Sequence, residues 1–300
     1  MDKLDLKGHT VSESVHHISD IVGKTRSQAQ ISVVIPVHNQ EMEISSLLIK
    51  IKEILNSTTQ SYEIVVVNDG SYDNTLNVLQ KEELLDSCIR IISYTPNRGK
   101  GHAVKTGVMQ ASGSIIIFVD GDFDISHDKI KEYLDELKNC DLVIASKRHP
   151  YSKVSAPISR IFLSRIFNVL VRLFVGIKIK DTQSGLKAGN GDALRMIFGV
   201  MLVKRYAFDV ELLTIATAMR LNIRELPIEI NLDHGFRMQD IVKMLIDISA
   251  ISYRHRITRW YQRQLLLLPP YAQRARTSRK EEGDAEREKI KVGNKNSPNK

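Results

Sequence analysis

The chain has 300 residues, 42% of them hydrophobic and 26% charged, with net charge +8 and pI near 9.3. That is ordinary soluble-protein chemistry with enough length for a sizeable core, in one large domain or two small ones. The two cysteines, Cys88 and Cys140, exclude a disulfide scaffold, and no 18-residue apolar window predicts a transmembrane helix. The excess positive charge, concentrated in the last sixty residues, suggests a polyanionic partner: nucleotide phosphates, an anionic membrane face or nucleic acid.

Residues 1–29 are polar and aperiodic and predict a flexible arm without signal-peptide character. Ile31–Pro36 is a short buried strand, followed by His38, Asn39 and Gln40 on a loop. Ile44, Leu47, Leu48, Ile51, Ile54 and Leu55 recur at helical spacing. Tyr62–Val67 is a second strand that runs into Asn68-Asp69-Gly70-Ser71. A helix over about 74–83 and a strand at Ile89–Tyr94 come next. Pro96-Asn97-Arg98-Gly99-Lys100-Gly101 leads into a helix from about His102 to Gln110.

The strand that then begins at Ile115 reads IIIFVDGDFD, an apolar run that ends in Asp120, Asp122 and Asp124. Three carboxylates so close repel one another unless a cation sits among them, and hard oxygen ligands suit Mg²⁺ or Mn²⁺. A solvated acidic turn is the plainer alternative. Strand–helix alternation this regular predicts an α/β fold with a mostly parallel sheet and helices on both faces. Ligands in such sheets bind beyond the carboxyl ends of the strands. His38, Asp69 and Asp120 all fall there.

Beyond Asp124, Ser126 is placed to cap a helix reaching Leu137, and Asp141–Ser146 is a strand ending in Lys147-Arg148-His149. The helix around Ile161–Val175 carries Arg165, Asn168 and Arg172 on one stripe, either as snorkelling core residues or facing lipid or a phosphate. Asp181–Gly185 is a polar turn. A helix opens at Ala207-Phe208-Asp209-Val210-Glu211. Ile223–Ile230 predicts an edge strand with Pro227 inside it. Asp240–Tyr253 is amphipathic, and the Arg, Trp and Leu residues after it suit a membrane interface or a partner groove. The charged tail from about Gln273 predicts disorder.

Gly101 follows Lys100 where a Walker loop needs Ser or Thr, no GxGxxG follows the first strand, and the cysteines lack zinc spacing. The segments VVIPVHNQ, VVVNDGSYDNT, NRGKGHAV, FVDGDFD, IASKRH, DTQSGLK and AFDVELL do form a pattern. In that order they resemble family 2 glycosyltransferases of the GT-A fold, above all the polyprenyl-phosphate hexosyltransferases. DTQSGLK with RYAFDVELL is similar to the dolichyl-phosphate glucose branch, and the mannose branch comes next. The resemblance covers roughly residues 30–250.

What the resemblance implies is an inverting transfer of a hexose to dolichyl or polyprenyl phosphate. UDP-glucose is the favoured donor, with GDP-mannose, or a soluble glycan or protein acceptor, as alternatives. It implies Mg²⁺ or Mn²⁺, held by Asp122 and Asp124. Pro36, His38 and Gln40 would line the base and ribose pocket and Asp69 the base edge. Asp120 and Gly121 would contact the nucleotide, and Lys147 and Arg148 would bind phosphate. Arg160, Arg165 and Arg237 would hold the acceptor phosphate. Asp122, Asp181, Arg160, Arg165 and Glu211 are the implied catalytic set. The chain departs from the family pattern at His38 (for Tyr), Gln40 (for Glu), Asn68 (for Asp), Lys147 (for Arg), Gly121 (for Ala) and Asp124 (for Gln).

The implied organisation is an arm (1–29), a GT-A domain (30–239), amphipathic interfacial helices (240–270) and a charged tail (271–300). The implied location is peripheral, on the cytoplasmic membrane face, with no nucleic-acid partner.

Overall fold

The structure, a computed structural model, describes residues 29–58, 61–120, 129–182, 185–205, 207–231 and 238–267. Residues 25–262 form one compact unit. Of the second unit, 1–24 with 263–300, the described residues are 263–267. The predicted arm and tail and Ser126 lie outside the described residues.

Strands β1 (Ile31–Val37), β2 (Tyr62–Asp69), β3 (Ile89–Tyr94) and β4 (Ile115–Phe118) lie parallel in the order β3-β2-β1-β4. Helices α1 (Ile44–Asn56), α2 (Thr75–Leu85) and α3 (Lys100–Gln110) connect them. Both faces of β1 and β2 are covered, which is why they read as unbroken apolar runs. Val33, Ile35, Ile64 and Val66 share a core with Ile44, Leu47, Leu48 and Ile51 of α1. On the opposite face α3 crosses β1 and β2 at Gly107, where a Cβ would meet Val67 at 3.1 Å and overlap Val34.

After α4 (Ile130–Glu136), strand β5 (Leu142–Ser146) does not pair with β4. Strand β7 (Lys187–Asn190) enters between them, antiparallel to both. β8 (Ile223–Pro227) closes the seven-stranded sheet, parallel to β5. An antiparallel strand enters the sheet at the edge where its parallel neighbours leave it. The turn before β7 therefore joins the loops after β1, β2, β4 and β5 at the carboxyl edge.

The predicted edge strand Ile223–Ile230 divides in two. Pro227 has no N–H for a ladder, and Ile228 bonds instead to Ser152 Oγ (3.0 Å) and Lys153 N (2.9 Å). The chain resumes as β9 (Glu229–Asn231), which pairs with β6 (Lys153–Ser155) in a separate two-stranded sheet. β6 and β7 are too short to carry a periodic signature, whereas in helix α6 (Gly191–Val200) the buried Ala193, Leu194, Ile197 and Phe198 recur at helical spacing. Asn190 also marks its start, because its side chain accepts the N–H groups of Asp192 and Ala193.

Helix α5 (Ile158–Phe174) corrects the predicted stripe. Arg165 and Arg172 are exposed, whereas Asn168 is buried and donates to Ser164 O at 2.9 Å. Helix α7 (Phe208–Ala218) is buried along most of its length, and α8 (Met238–Ser252) follows the second sheet. Met244, Ile248 and Ile251 of α8 are core residues. A π-helical turn (Tyr253–Ile257) leads to α9 (Trp260–Leu266).

Candidate active site

A cleft of about 560 Å³ opens at the carboxyl edge. The end of β1 contributes Pro36 and Val37, the loop after it His38 and Gln40, β2 contributes Asp69, and the segment after β4 contributes Asp120. The loop before α3 adds Asn97, Arg98 and Gly99, and α3 opens with Lys100. These strand ends converge because the parallel strands are in register, with Val37 beside Asn68 and Asp69 beside Tyr94.

Asp69 organises one end. Its carboxylate accepts the backbone N–H of Arg98 (2.7 Å) and of Gly99 (2.9 Å). Its carbonyl accepts Asn97 Nδ2 and lies 3.0 Å from His38 Nδ1. The Tyr94 hydroxyl is pushed above its ordinary pKa by burial and then by the Asp69 charge. Gln40 Oε1 is buried in the wall without a hydrogen-bond partner among the described residues. A buried unpaired acceptor is unfavourable until a donor reaches it, which suits a base N–H or a ribose hydroxyl.

At the other end Asp120 Oδ1 pairs with Lys100 Nζ at 2.6 Å. Gly185 lies directly over this carboxylate: a Cβ there would overlap it. Gly101 serves α3 in the same way. A Cβ there would lie 2.7 Å from Phe208 Cβ and 2.9 Å from Arg205 O. Lys204 O also accepts the His102 N–H at 3.0 Å, so Lys204 backs the start of α3.

Beyond β5, Lys147 bonds Asp181 Oδ2 twice, through its backbone N–H at 2.8 Å and Nζ at 3.1 Å. Arg148 donates to Ser164 O on α5. Burial lowers the Arg148 pKa; Asp181 opposes this, and the charges of Arg172 and Arg165 add to it. Arg148 thus feels two further guanidinium groups, from α5, against two carboxylates, Asp181 and Glu225. That excess of positive charge suits an anion.

Glu211 is corrected. It is fully buried on α7, with Oε2 accepting Leu202 N and Val203 N, and Oε1 accepting Arg254 and Tyr261. Every acceptor site already serves the fold. Asp181 is also buried, as the partner of Lys147. Gly121, Asp122, Asp124 and Arg237 lie outside the described residues, as does the side chain of Arg160. Sequence reasoning missed Lys100 as the partner of Asp120, and Arg205, Lys243, Met244 and Asp247 as cleft walls. The NRGKG loop was the available signal for Lys100, whereas nothing in the helical pattern of α8 marked its cleft-facing side.

The glycosyl transferase family 2 model matches residues 32–198, which hold the cleft's strand-end loops. The chain belongs to glycosyl transferase family 2. It is a glycosyltransferase, as the family resemblance implied. It is 30% identical over 253 residues to a dolichyl-phosphate beta-glucosyltransferase of Trichomonas vaginalis, covering 78% of this chain and 76% of the relative. It is 31% identical over 276 residues to the Saccharomyces cerevisiae enzyme of the same name, covering 83% and 81%. Glucosyl-3-phosphoglycerate synthase from Mycobacterium tuberculosis, solved with Mn²⁺, UDP-glucose and phosphoglyceric acid, shares the fold. The TM-score is 0.56 at 21% identity, covering 82% of this chain and 83% of that one. The GT-A architecture expected of this family is the one observed.

Proposed function

We propose that this enzyme transfers glucose from UDP-glucose to dolichyl or another polyprenyl phosphate, with inversion, at the cytoplasmic face of a membrane. The observation that carries the proposal is the pairing of two anion-suited regions at one sheet edge. One is the cleft of Gln40, Asp69, Lys100 and Asp120; the other is the guanidinium cluster of Arg148, Arg165 and Arg172. Relatives named for dolichyl-phosphate glucosyl transfer favour glucose over mannose and a lipid over a soluble acceptor.

In this reading an acceptor phosphate oxygen forms a bond to the sugar's anomeric carbon. The bond from that carbon to the diphosphate oxygen breaks, and UDP leaves with the electron pair. The acceptor is already an anion, so little general-base help is needed. Arg148, Arg165 and Arg172 gather the acceptor phosphate against its repulsion from the donor, with Arg160 and Arg237 as further candidates. Lys147, tied to Asp181, fixes the end of β5 that carries Arg148. Pro36, His38 and Gln40 line the base and ribose, and Lys100 places a cation where the diphosphate lies.

Among the described residues no group of three metal-ligating side chains occurs. Asp120 nevertheless brings a carboxylate to the cleft wall, and hard oxygen donors fit Mg²⁺ or Mn²⁺. Asp122 and Asp124 would hold the ion, with Gly121 letting the backbone approach the nucleotide. When bound, the ion supplies positive charge against the departing diphosphate.

The test is a transfer assay with purified full chain, Mn²⁺ or Mg²⁺, labelled UDP-glucose and dolichyl phosphate. Labelled lipid should form with UDP-glucose and be at least tenfold slower with GDP-mannose. Asp122→Ala should abolish it with the melting temperature preserved. No lipid-linked label from UDP-glucose would overturn the proposal.

A further inference from the structure

Helix α8 carries three different stripes. At about 100° per residue, Met244, Ile248 and Ile251 share the buried side. Lys243 and Asp247 share a second side, and both line the cleft with Met244 and Arg205. Val242 and Ile246, 51% and 63% exposed, share the third. The exposed apolar side continues through Tyr253 and Ile257 of the π-helical turn.

The same end of α8 is tied to α5. Ser252 Oγ donates to Phe174 O at 2.6 Å and Arg256 Nε to Val175 O at 3.2 Å. On α5, Val169, Leu173 and Phe174 are exposed beside Arg165 and Arg172. Exposed aliphatic side chains interleaved with arginines are the composition of a lipid-water interface. Neither helix is long and apolar enough to cross a membrane.

We propose that α8 is a wall shared between the donor and the lipid surface. Lys243 and Arg205 hold the nucleoside diphosphate, while Val242 and Ile246 seat on lipid, so that each binding event strengthens the other. This rests on the donor assignment of the cleft made above. Arg205 also follows directly on Lys204, whose carbonyl backs the loop before α3, so this wall and that loop are joined by covalent chain. A helix held on one side by core packing and on two sides by ligands loses motion when either ligand binds. The second ligand then meets a helix already ordered, and the coupling is reciprocal.

The occupant is a lipid surface because the acceptor's prenyl chain must stay in one, and because the apolar side is flanked by arginines. Lys243, Arg205 and Asp247 lie outside the stretch matched by the family model, which ends at residue 198.

The experiment measures UDP affinity of the full chain with Mn²⁺, with and without phosphatidylcholine–phosphatidylserine vesicles that contain no prenyl phosphate. Vesicles should tighten UDP binding about tenfold, and UDP should increase flotation with vesicles by the same factor. Lys243→Ala should weaken UDP binding in both conditions. Val242→Asp combined with Ile246→Asp should remove the vesicle-induced gain, with folding checked by thermal melting. If the doubly substituted chain does not fold, the wild-type ratio with and without vesicles decides. UDP binding that ignores vesicles, or vesicles that fail to capture the chain, would overturn the coupling alone. Absence of UDP binding in every condition would overturn the donor assignment itself.

Discussion

Carboxylates in the two halves of the sheet do opposite jobs. In the parallel half, Asp69 and Asp120 sit at strand ends and face the cleft. In the half built around β7, Asp181, Asp209 and Glu211 are buried and paired with Lys147, Lys187 and Arg254. A carboxylate beside a sugar-nucleotide cleft is therefore no guide to its role. What decides is whether it lines the cleft: Asp69 and Asp120 do so although Arg98, Gly99 and Lys100 already bond them, whereas Asp181, Asp209 and Glu211 do not.

Glu211 offers the strongest way to break this contrast. Glu211→Ala should leave half-buried Arg254, buried Tyr261 and two backbone N–H groups without their acceptor. The expected loss is about 3–5 kcal/mol in urea unfolding. Lost turnover at wild-type stability would instead return Glu211 to the catalytic set.

Lys187→Met comes next. Lys187 is fully buried, 2.6 Å from Asp209 and over the Phe118 ring. Burial raises the Asp209 pKa, and Lys187 opposes that. Without the lysine the folded chain holds a proton at Asp209 that the unfolded chain releases. Stability should therefore fall by about 3 kcal/mol at neutral pH, and recover as pH falls toward the ordinary carboxylate range. Unfolding at pH 5 and pH 8 checks the sign.

Gly185→Ala sharpens the comparison from the other side. Its methyl group would displace the Asp120 carboxylate, so kcat/KM should drop about tenfold, roughly 1.4 kcal/mol, with little change in melting temperature. An unchanged kcat/KM would mean that the position of Asp120 is not critical.

Glu63→Gln should have the smallest effect. Burial works to raise the Glu63 pKa, but bonds from Ser32 and Ser112 and the Arg90 charge outweigh it and hold it low. Its stabilisation, about 1 kcal/mol, is present above the unfolded pKa and lost as pH falls through the folded one. The variant should show a shallower acid-side decline in stability, read from melting temperatures below pH 5.

The same divide governs what was legible in the sequence. β1, β2 and β4 announced themselves because strands buried on both faces must be continuous apolar runs. The polar residues that interrupt those runs mark the cleft. β7 reads Lys-Ala-Gly-Asn and has no such signature, since its register comes from β4 and β5 rather than from its own side chains. The cleft-facing side of α8 was hidden for a related reason: Lys243 and Asp247 look like ordinary solvated positions until Arg205 is brought opposite them. Asn168 shows the reverse error, a polar residue at stripe spacing that turned inward.

The placement of β7 also has a consequence during synthesis. Until residue 190 has left the ribosome, β4 and β5 each present an unpaired edge with nothing between them. Such edges invite pairing with other chains. The nascent protein must therefore carry two open seams while roughly fifty residues beyond β5 are made, at about 5–20 residues per second, a delay of several seconds in which a holding chaperone would raise the yield.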